Sequence, residues 1–320
     1  MISEMLVNKL SANSALILAF HRINTREYIG RSKLMPGMYI SNEAFSAQIS
    51  WLKNHFEIVH IEKIIRGIRY REKWREPICT ITFDDGWFDN YEYAFPILRE
   101  DKIPWTIFVT GKDIGSSELN CFDMCFEIVV NLPTLPTHIT RLEKIDKLFL
   151  MKKFDPVEKA RRIIKEIRNL REKEFDTVYC RLKEFFLENV NHFDINMKYR
   201  RMTWENIKEM QGYGATFGYH SRSHYMLTQL EKDKLEEELI IPKEIAKKHG
   251  VSIENIFCYP DGGFNDDIIR LLKELGYEGA ASLMTGYNNV DTDPYKLKRF
   301  NVHEGSGGSL ANFLYTISRE

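Results

Sequence analysis

Along most of the 320-residue chain, short apolar runs alternate with longer amphipathic segments, the pattern of parallel strands joined by helices. ALILAF (15–20), FEIVHI (56–61), ICTITF (78–83), WTIFVT (105–110), ATFGYH (215–220), IFCYP (256–260), GAASLM (279–284) and LKRFNV (297–302) read as strands. Seven or eight such units suit a barrel better than an open sheet. Between Gly115 and about Met202 the rhythm changes: the chain is charged and helical, without a strand run, and NLPTLPTH (131–138) is a Pro-punctuated turn. The reading is one α/β barrel domain over residues 1–320 with a helical insertion at about 116–202, because the insertion's apolar stripes need a surface to cover them. Further on, Thr228 and Glu231 read as a capping box for a helix that Leu235 and Leu239 continue and Gly250 closes.

Composition narrows the classes. With 43% hydrophobic residues, 28% charged residues and a net charge of -1, the chain is globular and has no global field drawing it to nucleic acid. Basic residues cluster in RGIRYREKWR (66–75) and RRIIKEIRNLREK (161–173). In the second run Ile163, Ile164, Ile167 and Leu170 form a helical stripe, which fits a solvated outer face, with peripheral contact to an anionic membrane surface as the alternative. The five cysteines lack a pairing pattern and point to a reducing compartment, with Cys121 and Cys125 as core residues. With no basic leader and no apolar run near the ~18 residues of a membrane span, the expected location is cytoplasmic, peripheral at the inner membrane surface if that helix meets lipid.

Polar residues recur where strands end. His21 follows the first run, Asp84 and Asp85 the third, His220 the fifth and Asp261 the sixth, and strand ends are where barrel loops gather functional groups. His220 and His224 can converge on one point if the backbone turns between them, and a carboxylate from a neighbouring strand completes a His₂Asp site with open positions. That accounts for two adjacent acids after a buried strand: a divalent cation neutralises one and the other takes a proton. Alone, the His-x-x-x-His pair reads more readily as two structural histidines; TFDDG at a strand end turns the reading towards a metal site. Trp87 is placed to wall a sugar ring or to cover the core. His55, His60, His138, His192 and His249 have no acidic or histidine neighbours in sequence and read as structural.

TFDDG, then HSRSH, then a strand ending in Tyr259-Pro260 before Gly262-Gly263, resemble in order the polysaccharide deacetylase (NodB-homology, carbohydrate esterase four) family, over about Ala15 to Phe313. His21, in LAFHRI, resembles the element that opens its circularly permuted, poly-N-acetylglucosamine deacetylase-like branch. The resemblance implies a distorted (β/α)₇ barrel that removes N-acetyl groups from amino sugars. By position it makes Asp84 the general base and Asp85, His220 and His224 the ligands of one divalent metal ion, usually zinc. An oxyanion donor is implied in CYPDGG, with Tyr259 and Asp261 the candidates. Departures begin there: Cys258 stands where the family has an arginine, Arg299 is a candidate substitute on the final strand, and the tryptophan motif is not recognisable in YNNVDTDPYKL. Two histidines compete as general acid; His21 ends a strongly apolar strand and is preferred over His303, in the looser HEGSGGS. The expected enzyme is a metal-dependent N-deacetylase acting on an N-acetylated amino sugar, in a polysaccharide or a lipid-linked precursor. Alternatives are a deformylase or amidase of another substrate, or a degenerate carbohydrate-binding barrel.

Overall fold

The computed structural model describes residues 13–132, 134–135, 138–190 and 197–319; His192 lies outside them. The first strand, β1 (Ala15–Phe20), is buried at every residue, as a strand covered on both faces must be. It is followed by β2 (Arg22–Asn24), α1 (Arg26–Arg31), β3 (Tyr39–Ser41), α2 (Asn42–Lys53), β4 (Glu57–Ile58) and α3 (Ile61–Tyr70). Then come β5 (Ile78–Phe83), α4 (Phe95–Glu100) and β6 (Trp105–Val109). Of these, β5 pairs with β1 in parallel along its whole length, Ala15 opposite Ile78 through Phe20 opposite Phe83.

The insertion follows β6. It contains α5 (Cys121–Asn131), α6 (Glu143–Leu150), α7 (Pro156–Arg168) and α8 (Glu172–Asn189). Every residue of α5 except Asn131 is buried, so this helix is enclosed by its neighbours. Phe126, Phe149, Ile163, Ile167, Val178 and Leu182 belong to a core distinct from that of the barrel, and Trp87 joins it from the barrel side. The isoleucine stripe of α7 is therefore turned inward, away from any lipid surface. Cys121 and Cys125 sit in the same core as expected. No helix among the described residues is long and apolar enough to cross a membrane.

The chain returns through α9 (Trp204–Gly212), β7 (Ala215–Tyr219), α10 (Lys232–Leu239), α11 (Lys243–Lys248), β8 (Ile256–Cys258), α12 (Asp266–Glu274), β9 (Gly279–Ala281), β10 (Phe300–Asn301), α13 (Glu304–Gly307) and α14 (Leu310–Ser318). The sheet order is β10-β1-β5-β6-β7-β8-β9, with β4 beside the start of β5 and a separate β2-β3 pair. Just before β10, Leu297 bridges Ala281 at the end of β9, while Phe300 and Asn301 pair with Leu18 and Ala19. Hydrogen bonding thus returns to β1, giving the distorted seven-stranded barrel that the sequence led us to expect.

Three local readings are corrected. FEIVHI shortens to Glu57–Ile58 because His60 is already the N-cap of α3. LKRFNV shortens to Phe300–Asn301 because its first half bonds to the β9 side, through Leu297 and Arg299, before the chain crosses to β1. Thr228 and Glu231 form no capping box: Leu227–Gln229 is a 3₁₀ turn and Glu231 is itself the N-cap of α10. That helix stops at Leu239 and a new one starts after Pro242, which has no N–H to continue the ladder.

Candidate active site

Adjacent carboxylates at the end of β5 leave in different directions because the backbone turns between them. Asp84 still belongs to the sheet, its N–H donating to the Phe20 carbonyl at 2.9 Å. Asp85 and Gly86 then adopt left-handed φ values of 73° and 72°.

Asp84 faces a guanidinium. Arg299 reaches it from the segment that closes the barrel, with Nη1 and Nη2 each donating to one carboxylate oxygen at 2.8 Å. Its remaining donors go to the Ser282 carbonyl, to Thr82 Oγ1 and to Cys258 Sγ at 3.1 Å. Both partners are essentially inaccessible, with side-chain exposures of 0% and 2%. Burial alone would raise the Asp84 pKa; the Arg299 charge and its two hydrogen bonds outweigh it and hold the carboxyl at about 2.

Asp85 faces two imidazoles. Its Oδ1 lies 3.4 Å from Nε2 of both His220 and His224. Between the two histidines Ser221 and His224 take left-handed φ values of 62° and 57°, and the Ser221 hydroxyl accepts the His224 N–H, so the rings swing to the same side. His220 Nδ1 lies 2.7 Å from the Cys258 carbonyl, which only accepts, so Nδ1 carries a proton and Nε2 is the nitrogen turned towards Asp85. Against burial, which works the other way, the imidazoles hold Asp85 well below the usual carboxylate range, while Cys258 and Asp85 hold His220 well above the usual imidazole value.

Donor atoms of Asp85, His220 and His224 lie within 4.8 Å of one another, as do those of Asp84, His220 and Cys258. The second set already has its counter-charge in Arg299. The first brings one carboxylate oxygen and two imidazole nitrogens together, and its donor chemistry fits a divalent metal.

Trp87 covers the core beside these ligands and borders the cavity they line. It is 1% exposed, and its Nε1–H donates to Asp85 Oδ2 at 2.9 Å. Its indole is clasped by two guanidinium groups, Arg22 at 4.1 Å and Arg201 at 3.1 Å from the ring centroid. Trp87 therefore fixes the Asp85 carboxylate. Tyr259 is corrected: its N–H donates to the Ala281 carbonyl and its hydroxyl to that of Tyr295, so neither is free for an oxyanion. The Asp261 amide remains, in a residue at φ 51° whose carboxylate pairs with Arg168 at 2.7 Å.

His21 and His303 occupy different ground. His21 Nε2 is 3.8 Å from Asp84 Oδ2, and its ring lines the same 60 Å³ cavity as Asp84, Asp85, His220 and His224. His303 does not line it; instead of sitting in a loose stretch it caps α13, its Nδ1 accepting from the Gly305 N–H. Of the histidines read as structural, His55 stacks on Trp51, His249 stacks on Trp204, His60 caps α3 and the exposed His138 faces Asp146 at 4.0 Å.

Sequence reasoning missed two residues of this cavity. Asp123 on α5 and Arg168 on α7 both line it, brought there by the packing of the insertion. Burial pushes the Asp123 carboxyl up to about 7, only partly opposed by Arg201 at 3.8 Å. NCFDMCF carries no local signal for this.

A parallel barrel with an ionised acid, two imidazoles around a second acid and a further histidine at its strand ends is the framework of a hydrolase. The chain belongs to the polysaccharide deacetylase family, whose profile matches residues 71–145 and 158–280, and this makes it a hydrolase of carbon–nitrogen bonds. It is similar to YxkH of Bacillus subtilis (strain 168), named as a candidate polysaccharide deacetylase, at 21% identity over 92% of this chain and 73% of that one. It is also similar to the poly-beta-1,6-N-acetyl-D-glucosamine N-deacetylase of Staphylococcus aureus (strain MSSA476), at 31% identity over 36% of this chain; the match spans 42% of that enzyme. Among solved structures, the deacetylase PplD of Streptococcus pyogenes superposes with a TM-score of 0.59 at 18% identity, covering 95% of this chain and 98% of that one. IcaB from Ammonifex degensii gives 0.58 at 18% identity, covering 94% and 97%. At these identities the two structures share the fold.

Proposed function

We propose that the protein is a metal-dependent N-deacetylase that hydrolyses the acetamide of an N-acetylated amino sugar within a polysaccharide. The observation that carries this is the meeting of Asp85, His220 and His224 beside an Asp84 already held by Arg299. The family and the S. aureus relative supply the substrate class. A divalent ion held by the three ligands, zinc by their chemistry, would acidify a water and polarise the acyl carbonyl.

The remaining parts are this chain's own. Arg299 keeps Asp84 ionised and fixes both of its oxygens, so that it stands oriented to accept the proton of an attacking water. Asp261, which lines the cavity, offers its backbone amide to the developing oxyanion. His21, which lines the same cavity with its Nε2 3.8 Å from Asp84 Oδ2, delivers the proton that the departing amine requires.

The test is acetate release from N-acetylglucosamine oligomers by the zinc- or cobalt-loaded protein. Wild type is expected to turn over, and Asp84→Asn to stop while retaining its metal. A wild-type protein that keeps no metal after dialysis, or releases no acetate when loaded, overturns the reading.

A further inference from the structure

One wall of the cavity is built by the insertion. The first turn of α5 contributes Asn120, Phe122 and Asp123, and α7 contributes Arg168, whose guanidinium lies over the Phe122 ring at 5.2 Å. Asn120 is already committed, its side chain capping α5 by accepting from the Phe122 and Asp123 amides. Asp123 is different. It is 6% exposed, and its Oδ2 is buried without a hydrogen-bond partner. The nearest cation, Arg201, stands at 3.8 Å, beyond hydrogen-bond reach, and is drawn equally to Asp113 at 3.7 Å. Arg168 Nε and Asp261 Oδ2, on the same wall, are buried and unpartnered too. An unmatched buried carboxylate costs free energy that folding alone gives no reason to spend, and a cavity lined by several such atoms is shaped for a polar guest.

The size of the cavity says which part of a guest enters. At 60 Å³, against 280 Å³ for the cavity beside it, it is the narrower of the two spaces and suits the acyl group better than the sugar ring. The ring must rest at its mouth, against the wall that carries Asp123 and beside a 280 Å³ cavity that shares Asn120, Phe122 and His224 with it. A sugar ring presents hydroxyl donors next to its acetamide, and a carboxylate is the side chain that accepts them most strongly.

We infer that Asp123 is a specificity residue: its free carboxylate oxygen accepts a hydrogen bond from a ring hydroxyl beside the acetamide, so that the insertion reads the sugar while the barrel cleaves the amide. This rests on the deacetylase reading above. The bland alternative is a buried partner of Arg201 that serves folding only.

The experiment compares two substrates on the zinc-loaded full chain: an N-acetylglucosamine trisaccharide, and 4-nitrophenyl acetate, which has an acyl group but no hydroxyl. For Asp123→Ala the ratio of kcat/KM values, trisaccharide over ester, is expected to fall about tenfold to a hundredfold, the worth of one charge-assisted hydrogen bond, mostly through KM. Asp123→Asn, which keeps the shape and a neutral acceptor, is expected to recover part of that ratio. A ratio unchanged in both variants, or a parallel fall on both substrates, overturns the inference while leaving the deacetylase reading standing. Wild type inactive on both substrates overturns the two together.

Discussion

Two buried aspartates line one cavity, one from the barrel and one from the insertion, and differ in almost everything around them. On the barrel wall Asp84 has both oxygens bonded by Arg299 and is held at about 2; on the insertion wall Asp123 keeps an oxygen unbonded and is pushed up to about 7. Burial is the same for both. What separates them is whether a cation arrives within bonding distance, and that depends on the framework. The barrel delivers its side chains from strand ends fixed by a continuous hydrogen-bonded ring, whereas the insertion delivers its own from helices packed on a separate core. The first wall is saturated and suits chemistry; the second is left unsatisfied and suits recognition.

The contrast is broken most severely at the barrel wall. Asp84→Asn is expected to lower kcat by about 10²–10⁴-fold with metal content unchanged, as loss of a general base does, against the milder, KM-weighted loss expected at Asp123. Turnover and metal analysis on the same preparation check it. Arg299→Met comes next. It strands the Asp84 charge in a fully buried place and is expected to cost about 3–5 kcal/mol in urea unfolding, while the double variant with Asp84→Asn recovers much of that loss.

Acid titration of the metal-free protein sharpens the comparison, because the two shifts have opposite signs. Asp84 is depressed, so its contribution is present above the unfolded carboxylate value of about 3.9 and disappears as pH falls towards about 2, an effect of roughly 2 kcal/mol. Asp123 is raised, so its contribution is present at low pH and is lost as pH climbs towards about 7. Asp84→Asn should flatten the acid limb of the stability curve and Asp123→Asn the limb between about pH 4 and 7; one variant flattening both limbs would show that the walls are coupled. The smallest effect on the site belongs to Trp87→Phe, which removes the indole donor to Asp85, trims the ring between Arg22 and Arg201, and is expected to weaken metal affinity about tenfold, read by competition with a chelator.

What the sequence made legible divides along the same line. Ala15–Phe20 and Ile78–Phe83 were readable to the residue because a strand buried on both faces is a continuous apolar run with sharp ends. Asp84, Asp85, His220 and His224 were readable because the strand ends place them. Arg299 was nameable as a candidate, but its bidentate grip on a residue far away in sequence is a product of barrel closure. Trp87 was legible as a core residue, but its bond to Asp85 was not, because an aromatic two residues from a carboxylate gives no hint of which way its N–H points. Asp123 and Arg168 were invisible, since amphipathic periodicity reports that a helix will be covered and not by what. Pro242 ended a helix that the leucine stripe alone would have continued.

Arg299 lies 215 residues beyond the aspartate it grips, on the segment that shuts the ring. During synthesis Asp84 leaves the ribosome long before its counter-ion does. A chain cut before Arg299 keeps the aspartate and loses the one group that bonds both of its oxygens.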